Sequence, residues 1–225
     1  MDSSIKILYE DSHLLAVDKP VGIASVPAEY IPESKTIQGM VRRWADLNEK
    51  GFKPYLLHRL DKNTSGLILF GKHEHDRKKL ENILRQEDTK KTYLALVKGV
   101  PRFEESTIKI PLDARTANIK VPALTHYKII KKFGPTSLLE VVIETGRKHQ
   151  IRKHLAMIKN PLVLDPEYGD RLFNNNYQRK LKGKGQFFLR AWKIEFTHPF
   201  TKEKVIIKGN STLQGLDLLN TFGKA

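Results

Sequence analysis

His58-Arg59-Leu60-Asp61-Lys62-Asn63-Thr64-Ser65-Gly66 sets one carboxylate among cations, on a tight turn between two apolar runs. Tyr55-Leu56-Leu57 precedes it and Leu67-Ile68-Leu69-Phe70 follows. Both runs are short, and Gly66 and Gly71 bracket the second, so both read as buried strands. Asn, Thr, Ser and Gly bond locally to the backbone or accept a positive φ, which is turn chemistry. Asp61 therefore falls at a strand end, and two readings of it stand side by side. An Asp before a turn is commonly a turn-former or a salt-bridge partner. Yet His58, Arg59 and Lys62 put more donors beside one acid than a turn needs. Cations favour the ionised carboxylate, which suits a nucleophile rather than a proton donor.

Composition narrows the classes. The chain has 225 residues, 40% of them hydrophobic, enough for a core without disulfides. Cysteine is absent, which excludes a disulfide framework, a thiolate zinc site and a cysteine nucleophile. No apolar run approaches the roughly 20 residues of a membrane span. Met1-Asp2-Ser3-Ser4 lacks the basic region and apolar core of a secretory signal, so the expected compartment is the cytoplasm. Forty Lys and Arg against 25 Asp and Glu give a net charge of +15. That excess opposes self-association, which points to a monomer, and attracts polyanions. Nucleic acid comes ahead of an anionic membrane, because no basic amphipathic helix stands out.

Upstream of the central turn, Ile5–Tyr9 and Leu14–Val17 flank a polar turn and read as a hairpin, stopped by Pro20 and Gly22. A Pro-containing loop covers Ala24–Glu33. Thr36 is placed to cap a helix from Ile37 to about Leu47, with Ile37, Val41, Trp44 and Leu47 as its apolar stripe. Downstream, His73 to about Glu87 reads as a helix, with Leu80, Ile83 and Leu84 inward and Arg77, Lys78, Lys79 and Arg85 outward. Lys90–Gly99 alternates as a strand, and short β pieces follow from Ser106 to Val121. Leu124–Lys132 and Ser137–Glu144 form a hairpin through Gly134-Pro135. A helix opens at Thr145, its expected cap, with Ile151, Leu155 and Ile158 buried. Pro161–Leu164 is apolar, Asp165–Asp170 a loop, and Arg179–Gly185 a basic loop. Phe187–Phe196 and Val205–Lys208 are strands, and Leu213–Phe222 a closing helix. Elements interleave without regular βαβ spacing. The expected fold is α+β, a mixed and largely antiparallel central sheet flanked by helices, in one domain over 1–225.

Two further groups bear on chemistry. Tyr93 follows Lys90 and Lys91 in a strand, and reads either as a core ring or as a flat surface for a nucleobase. Arg147, Lys148, His149, Gln150 and Arg152 gather where a helix begins, where basic side chains and the helix dipole make an anion site. His149 and His154 are five apart, on poorly matched helix faces, so no metal site is expected. His-Arg-Leu-Asp also brushes against the kinase catalytic loop, but its Leu-Asp order is reversed and no glycine-rich phosphate loop accompanies it.

These residues carry a resemblance. His58–Gly66, Lys91-Thr-Tyr-Leu-Ala95, Thr145–Leu155, the opening Asp18-Lys-Pro-Val-Gly22 and the closing Phe196-Thr-His-Pro-Phe-Thr201 together resemble the RluA family of RNA pseudouridine synthases. The resemblance covers most of the chain. It implies a mixed sheet with an active cleft across it, and no metal or organic cofactor. By resemblance, Asp61 is the catalytic aspartate, Tyr93 stacks on the target uracil, and Arg152 pairs with Asp61. Arg59 corresponds to the arginine that enters the RNA stack, with His58 and the Arg147–Gln150 stretch as further RNA contacts. Ribosomal or transfer RNA is the implied partner. The sequence departs from the family pattern at Arg190, where His is usual, and at Leu164, where Gly is usual. An additional N-terminal domain of the S4 type, carried by many relatives, is not expected. The competing functions are a catalytically silent RNA-binding protein and a glycosidase. The first fits poorly with a complete reactive set, and the second needs paired carboxylates where this turn offers one.

Overall fold

A computed structural model describes residues 5–114, 119–182 and 187–210. The fold is α+β, with a mixed, largely antiparallel central sheet flanked by helices. The chain divides into two compact units, residues 1–90 with 191–210, and 91–190 with 211–225. The expected closing helix at Leu213–Phe222 lies outside the described residues.

In the first unit, β1 (Ile7–Glu10) and β2 (Leu14–Lys19) form the expected antiparallel hairpin. β2 pairs on its other edge with β4 (Ser65–Gly71), which also takes β3 (Tyr55–Leu56). β11 (Leu189–Thr197) lies next to β4 and pairs with β12 (Lys204–Lys208). Leu14–Val17 and Leu67–Phe70 are buried without alternation, because both faces of these inner strands are covered. Gly66 is needed for this packing. Its φ is 105°, and a Cβ there would lie 2.1 Å from the Ala191 carbonyl oxygen.

α1 (Ile37–Leu47) starts at Thr36, whose hydroxyl accepts from Gly39 N–H at 3.1 Å. Its buried stripe is Ile37, Val41 and Ala45, whereas Leu47 is exposed, so the apolar face turns by one position from the expected one. α2 (Arg77–Ile83) is shorter than expected, with a 3-10 turn at Glu74–Asp76 before it and an end at Ile83.

In the second unit the strand order is β5 (Lys90–Lys98), β10 (Thr136–Ile143), β9 (Thr125–Phe133) and β6 (Glu105–Ile108), all antiparallel. Gly134 takes a φ of 57° in the two-residue turn between β9 and β10. β7 (Leu112–Asp113) and β8 (Lys120–Val121) make a separate short hairpin. The core is built from alternate residues of these strands, including Ala95, Val97, Tyr127, Leu139 and Val141, and is covered by Ile151 and Leu155 of α3 (Gln150–Met157).

α4 (Arg171–Lys180) occupies a stretch that the sequence reading leaves without structure. Asp170 caps it, accepting from Phe173 N–H at 2.8 Å, and Phe173 and Tyr177 stack one turn apart. Among the described residues, no helix is long and apolar enough to cross a membrane.

Candidate active site

Residues 57–64 link β3 to β4, and the backbone on both sides of Asp61 is held in place. Ser25 Oγ donates to Leu60 O at 2.6 Å and accepts from Leu60 N–H at 3.0 Å. Lys19 is wholly buried, and its Nζ donates to the carbonyls of Pro20, Ile23 and Lys62 at 2.9, 2.7 and 3.1 Å. Gly22 N–H reaches the same Lys62 carbonyl at 2.9 Å, and Thr64 N–H donates to Asp61 O at 3.1 Å. Residues 60 and 62 are thereby held, and Asp61 sits half-buried between them.

Lys19 is a component that sequence reasoning passed over as a strand end. Burial pushes its pKa down to about 8, and the neighbouring negative charge of Asp61 works against that shift. The ammonium and the carboxylate therefore interact within this unit. His58 is half-buried, and its Nε2 accepts from Leu69 N–H at 3.0 Å. That contact puts the ring proton on Nδ1 and ties the turn to β4. Arg59 is exposed.

In the second unit, Tyr93 lies in β5 opposite Val141. Its ring packs on the core while remaining half-exposed, so burial accounts for only part of it. The stretch from Thr145 to Gln150 departs from expectation. Thr145 does not cap the helix; α3 begins at Gln150, after His149 in a left-handed conformation with φ 55°. The buried Gln150 explains this. Its Oε1 accepts from Thr145 Oγ1 at 2.8 Å and Arg147 N–H at 3.0 Å, and its Nε2 donates to Leu124 O at 2.8 Å and Thr125 Oγ1 at 3.0 Å. Thr125 in turn bonds His154 Nδ1 at 2.9 Å, and His154 Nε2 reaches Ile110 O at 2.8 Å. Gln150 thus braces the turn that leaves Arg147 and Lys148 exposed.

Arg152 sits in the first turn of α3 and is buried. Its Nε and Nη2 donate to the two oxygens of Asp165 at 2.7 and 2.8 Å, and Nη2 also reaches Glu167 at 3.2 Å. The guanidinium lies 4.9 Å from the Tyr168 ring centre and 5.6 Å from that of Phe187. Such aromatic walls hold a planar cation in one orientation. Asp165 additionally accepts from Glu167 N–H at 2.9 Å and Tyr168 N–H at 3.1 Å. Burial alone would raise its carboxyl, but the bonds from Arg152 and these two amides outweigh it and hold the pKa below the ordinary range. His149 Nδ1 lies 3.1 Å from Tyr168 Oη and 3.4 Å from Glu167. Burial, with Glu167 beside it, pushes Tyr168 up to about 12.

The seat of Asp165 comes from α4. Asn174 Oδ1 accepts from Leu164 N–H at 2.8 Å, and its Nδ2 donates to Asp165 O at 3.2 Å. Leu164 has a φ of 60°, so the departure from glycine falls at a left-handed backbone position. Arg190, the other departure, is buried in β11. His198 of the closing motif is also buried, its Nδ1 accepting from Thr201 N–H at 3.2 Å, which makes it part of a turn. Among the described residues, no group of three or more His, Cys, Asp or Glu side chains is placed to hold a metal.

Comparison with known proteins agrees with these motifs. The sequence profile described as RNA pseudouridylate synthase matches residues 13–157. The chain is 32% identical over 230 residues to the uncharacterized RNA pseudouridine synthase YhcT of Bacillus subtilis, covering 97% of this chain and 72% of that protein. It is 34% identical over 203 residues to ribosomal large subunit pseudouridine synthase D of Nitrosomonas europaea, covering 87% of this chain and 58% of that one. The chain thus spans little more than half the length of the second relative. In fold it is similar to human RNA Pseudouridylate Synthase Domain Containing 4, with a TM-score of 0.80 at 20% identity, over 96% of this chain and 92% of that one. With more than half of its residues matched by the family profile, and with relatives above 30% identity across most of its length, the chain belongs to the RNA pseudouridylate synthase family of enzymes.

Proposed function

We propose that this chain is an RluA-type synthase that converts uridine to pseudouridine in structured RNA, without metal or organic cofactor. The observation that carries the reading is the fixed turn around Asp61. Bonds to Leu60 O and N–H on one side and to Lys62 O on the other hold the backbone around Asp61, which is half-buried in the link between β3 and β4 rather than at a strand end, beside an exposed Arg59. A reacting group held by its neighbours needs little reorganisation when substrate arrives.

The reaction breaks the N1–C1′ bond, turns the uracil, joins C5 to C1′ and releases the C5 proton. A base inside folded RNA must first be extruded, at a cost of roughly a few kcal/mol. Arg59 occupies the vacated place in the stack, and Arg147, Lys148 and His149 meet phosphate or base edges. Asp61 acts on the extruded nucleotide, either by attack at C1′ or by removal of the 2′ proton. Tyr93 stacks on the uracil. Arg152, clamped by Asp165, is the residue that the family resemblance pairs with the Asp61 carboxylate, and a guanidinium in that role keeps the charge stable as water leaves. The likeness to a ribosomal large subunit enzyme supports ribosomal RNA as substrate, with transfer RNA as the other class.

The test is tritium release from RNA labelled at uridine C5. Asp61→Asn and Asp61→Ala retain RNA binding and release no tritium; near-normal turnover by either variant removes Asp61 from this role. Mapping pseudouridines in cells with and without the gene then identifies the position modified.

A further inference from the structure

Tyr30 is the most exposed large apolar side chain among the described residues, at 86%. A short, closed turn displays it. Ala28 N–H donates to Ile31 O at 3.1 Å and Ile31 N–H returns to Ala28 O at 2.9 Å. Pro27 and Pro32 flank the turn, each locking one φ. At its base, Ile37 N–H donates to Ala24 O at 2.9 Å, and Ser25 makes its two bonds to Leu60. Ser25 and Tyr30 are five residues apart, so their backbones lie within roughly 17 Å even if fully extended. The turn is thus attached to the segment that carries Arg59 and Asp61.

Among the described residues, Tyr30 is left out of the buried core. Its hydroxyl donates to the exposed Glu29 at 2.9 Å. A ring held in water forgoes the burial free energy that a core position would give. Its pre-fixed turn also means that little order is lost when something binds. The chain carries a net charge of +15 and belongs to a family that acts on RNA, so the matching flat surface is an unstacked nucleobase. Glu29 beside the ring repels phosphate, which favours the face of a base over the backbone as the contact.

We propose that Tyr30 stacks on an unpaired base of the RNA substrate close to the target uridine. The proposal rests on the RNA reading above and adds a residue to it. The probe is an RNA hairpin with an unpaired loop of mixed sequence, with inorganic polyphosphate as the anion control. Tyr30→Ala weakens hairpin binding on the order of 5- to 150-fold, while Tyr30→Phe stays within about twofold of wild type. The dependence on salt is unchanged, because no phosphate contact is lost. Tyr30→Trp shows added fluorescence quenching with the hairpin and none with polyphosphate, relative to wild type. Binding by Tyr30→Ala equal to wild type, or a loss in Tyr30→Phe as large as in Tyr30→Ala, overturns the proposal. Tritium release by the wild-type chain separates the two readings. Ring-dependent binding without release counts against the catalytic reading alone, and release with ring-independent binding counts against stacking alone.

Discussion

Arg152 and Asp165 form a buried, two-pronged pair, Nε to Oδ2 at 2.7 Å and Nη2 to Oδ1 at 2.8 Å, thirteen residues apart in the chain. The proposed partner of Asp61 is therefore itself fixed by a second carboxylate. Asp165→Ala strands a buried guanidinium and costs roughly 3–5 kcal/mol of stability. Asp165→Asn keeps the shape and one acceptor, so its fold survives while Arg152 loses its buried, two-pronged charge partner. The expected result is a turnover loss in Asp165→Asn with RNA affinity retained, read by tritium release beside hairpin binding.

Gly66 and Gly22 both have positive φ, but only one is crowded. A Cβ on Gly66 meets the Ala191 carbonyl oxygen at 2.1 Å, whereas one on Gly22 meets nothing within 4 Å. Gly66→Ala costs on the order of 3 kcal/mol or more, by strain and by displacing β11. Gly22→Ala costs about 1 kcal/mol, from backbone conformation alone. Urea denaturation of the two variants tests the difference, and equal losses would contradict the packing at Gly66.

Lys19→Met keeps the alkyl stem and removes the ammonium from three carbonyls. Both the order of the Asp61 turn and turnover should fall. The pH dependence gives an independent readout. With a folded pKa of about 8, below the usual lysine value, the unfolded chain binds the extra proton from pH 8 upward to its own pKa near 10.5. Lys19 therefore adds stability as pH rises through that window, and its contribution is lost as pH falls through 8. The wild-type minus Lys19→Met difference in unfolding free energy, followed from pH 7 to 10, should climb; a flat difference refutes the depressed pKa.

His154 gives the opposite end of the pH range. Burial lowers its pKa, partly opposed by its bond to Ile110 O. The unfolded ring takes its proton near pH 6.5, so the stability that His154 contributes is present above that value and lost as pH falls below it. The denaturation midpoint should drop more steeply between pH 7 and 5 in the wild type than in His154→Gln.

Much of this architecture is legible in the residues. The β1–β2 and β9–β10 hairpins, the Thr36 cap and the unbroken apolar runs of β2 and β4 follow from local pattern, and the structure has them. Two elements were obscured for identifiable reasons. α4 carries Asn174-Asn175-Asn176, poor helix formers, which mask its Asp170 cap and the Phe173, Tyr177, Leu181 spacing. The start of α3 is decided by a side chain, since Gln150 captures the Thr145 hydroxyl that would otherwise be free to cap. Of the site, the charged turn at Asp61 and the Arg147–Arg152 cluster stand out in the sequence. Lys19 and Asp165 do not, because each acts through tertiary contacts: a lysine that ends a strand and an aspartate before a proline look like punctuation.

Leu164 holds the peptide just ahead of Asp165 in a left-handed bend that glycine would enter freely and leucine resists. The resistance costs roughly 1 kcal/mol in the folded chain, while leucine also has fewer unfolded conformations to lose than glycine. Exchanging Leu164 for glycine would lift the first and surrender the second. One side chain thus places backbone strain directly ahead of the carboxylate that anchors Arg152.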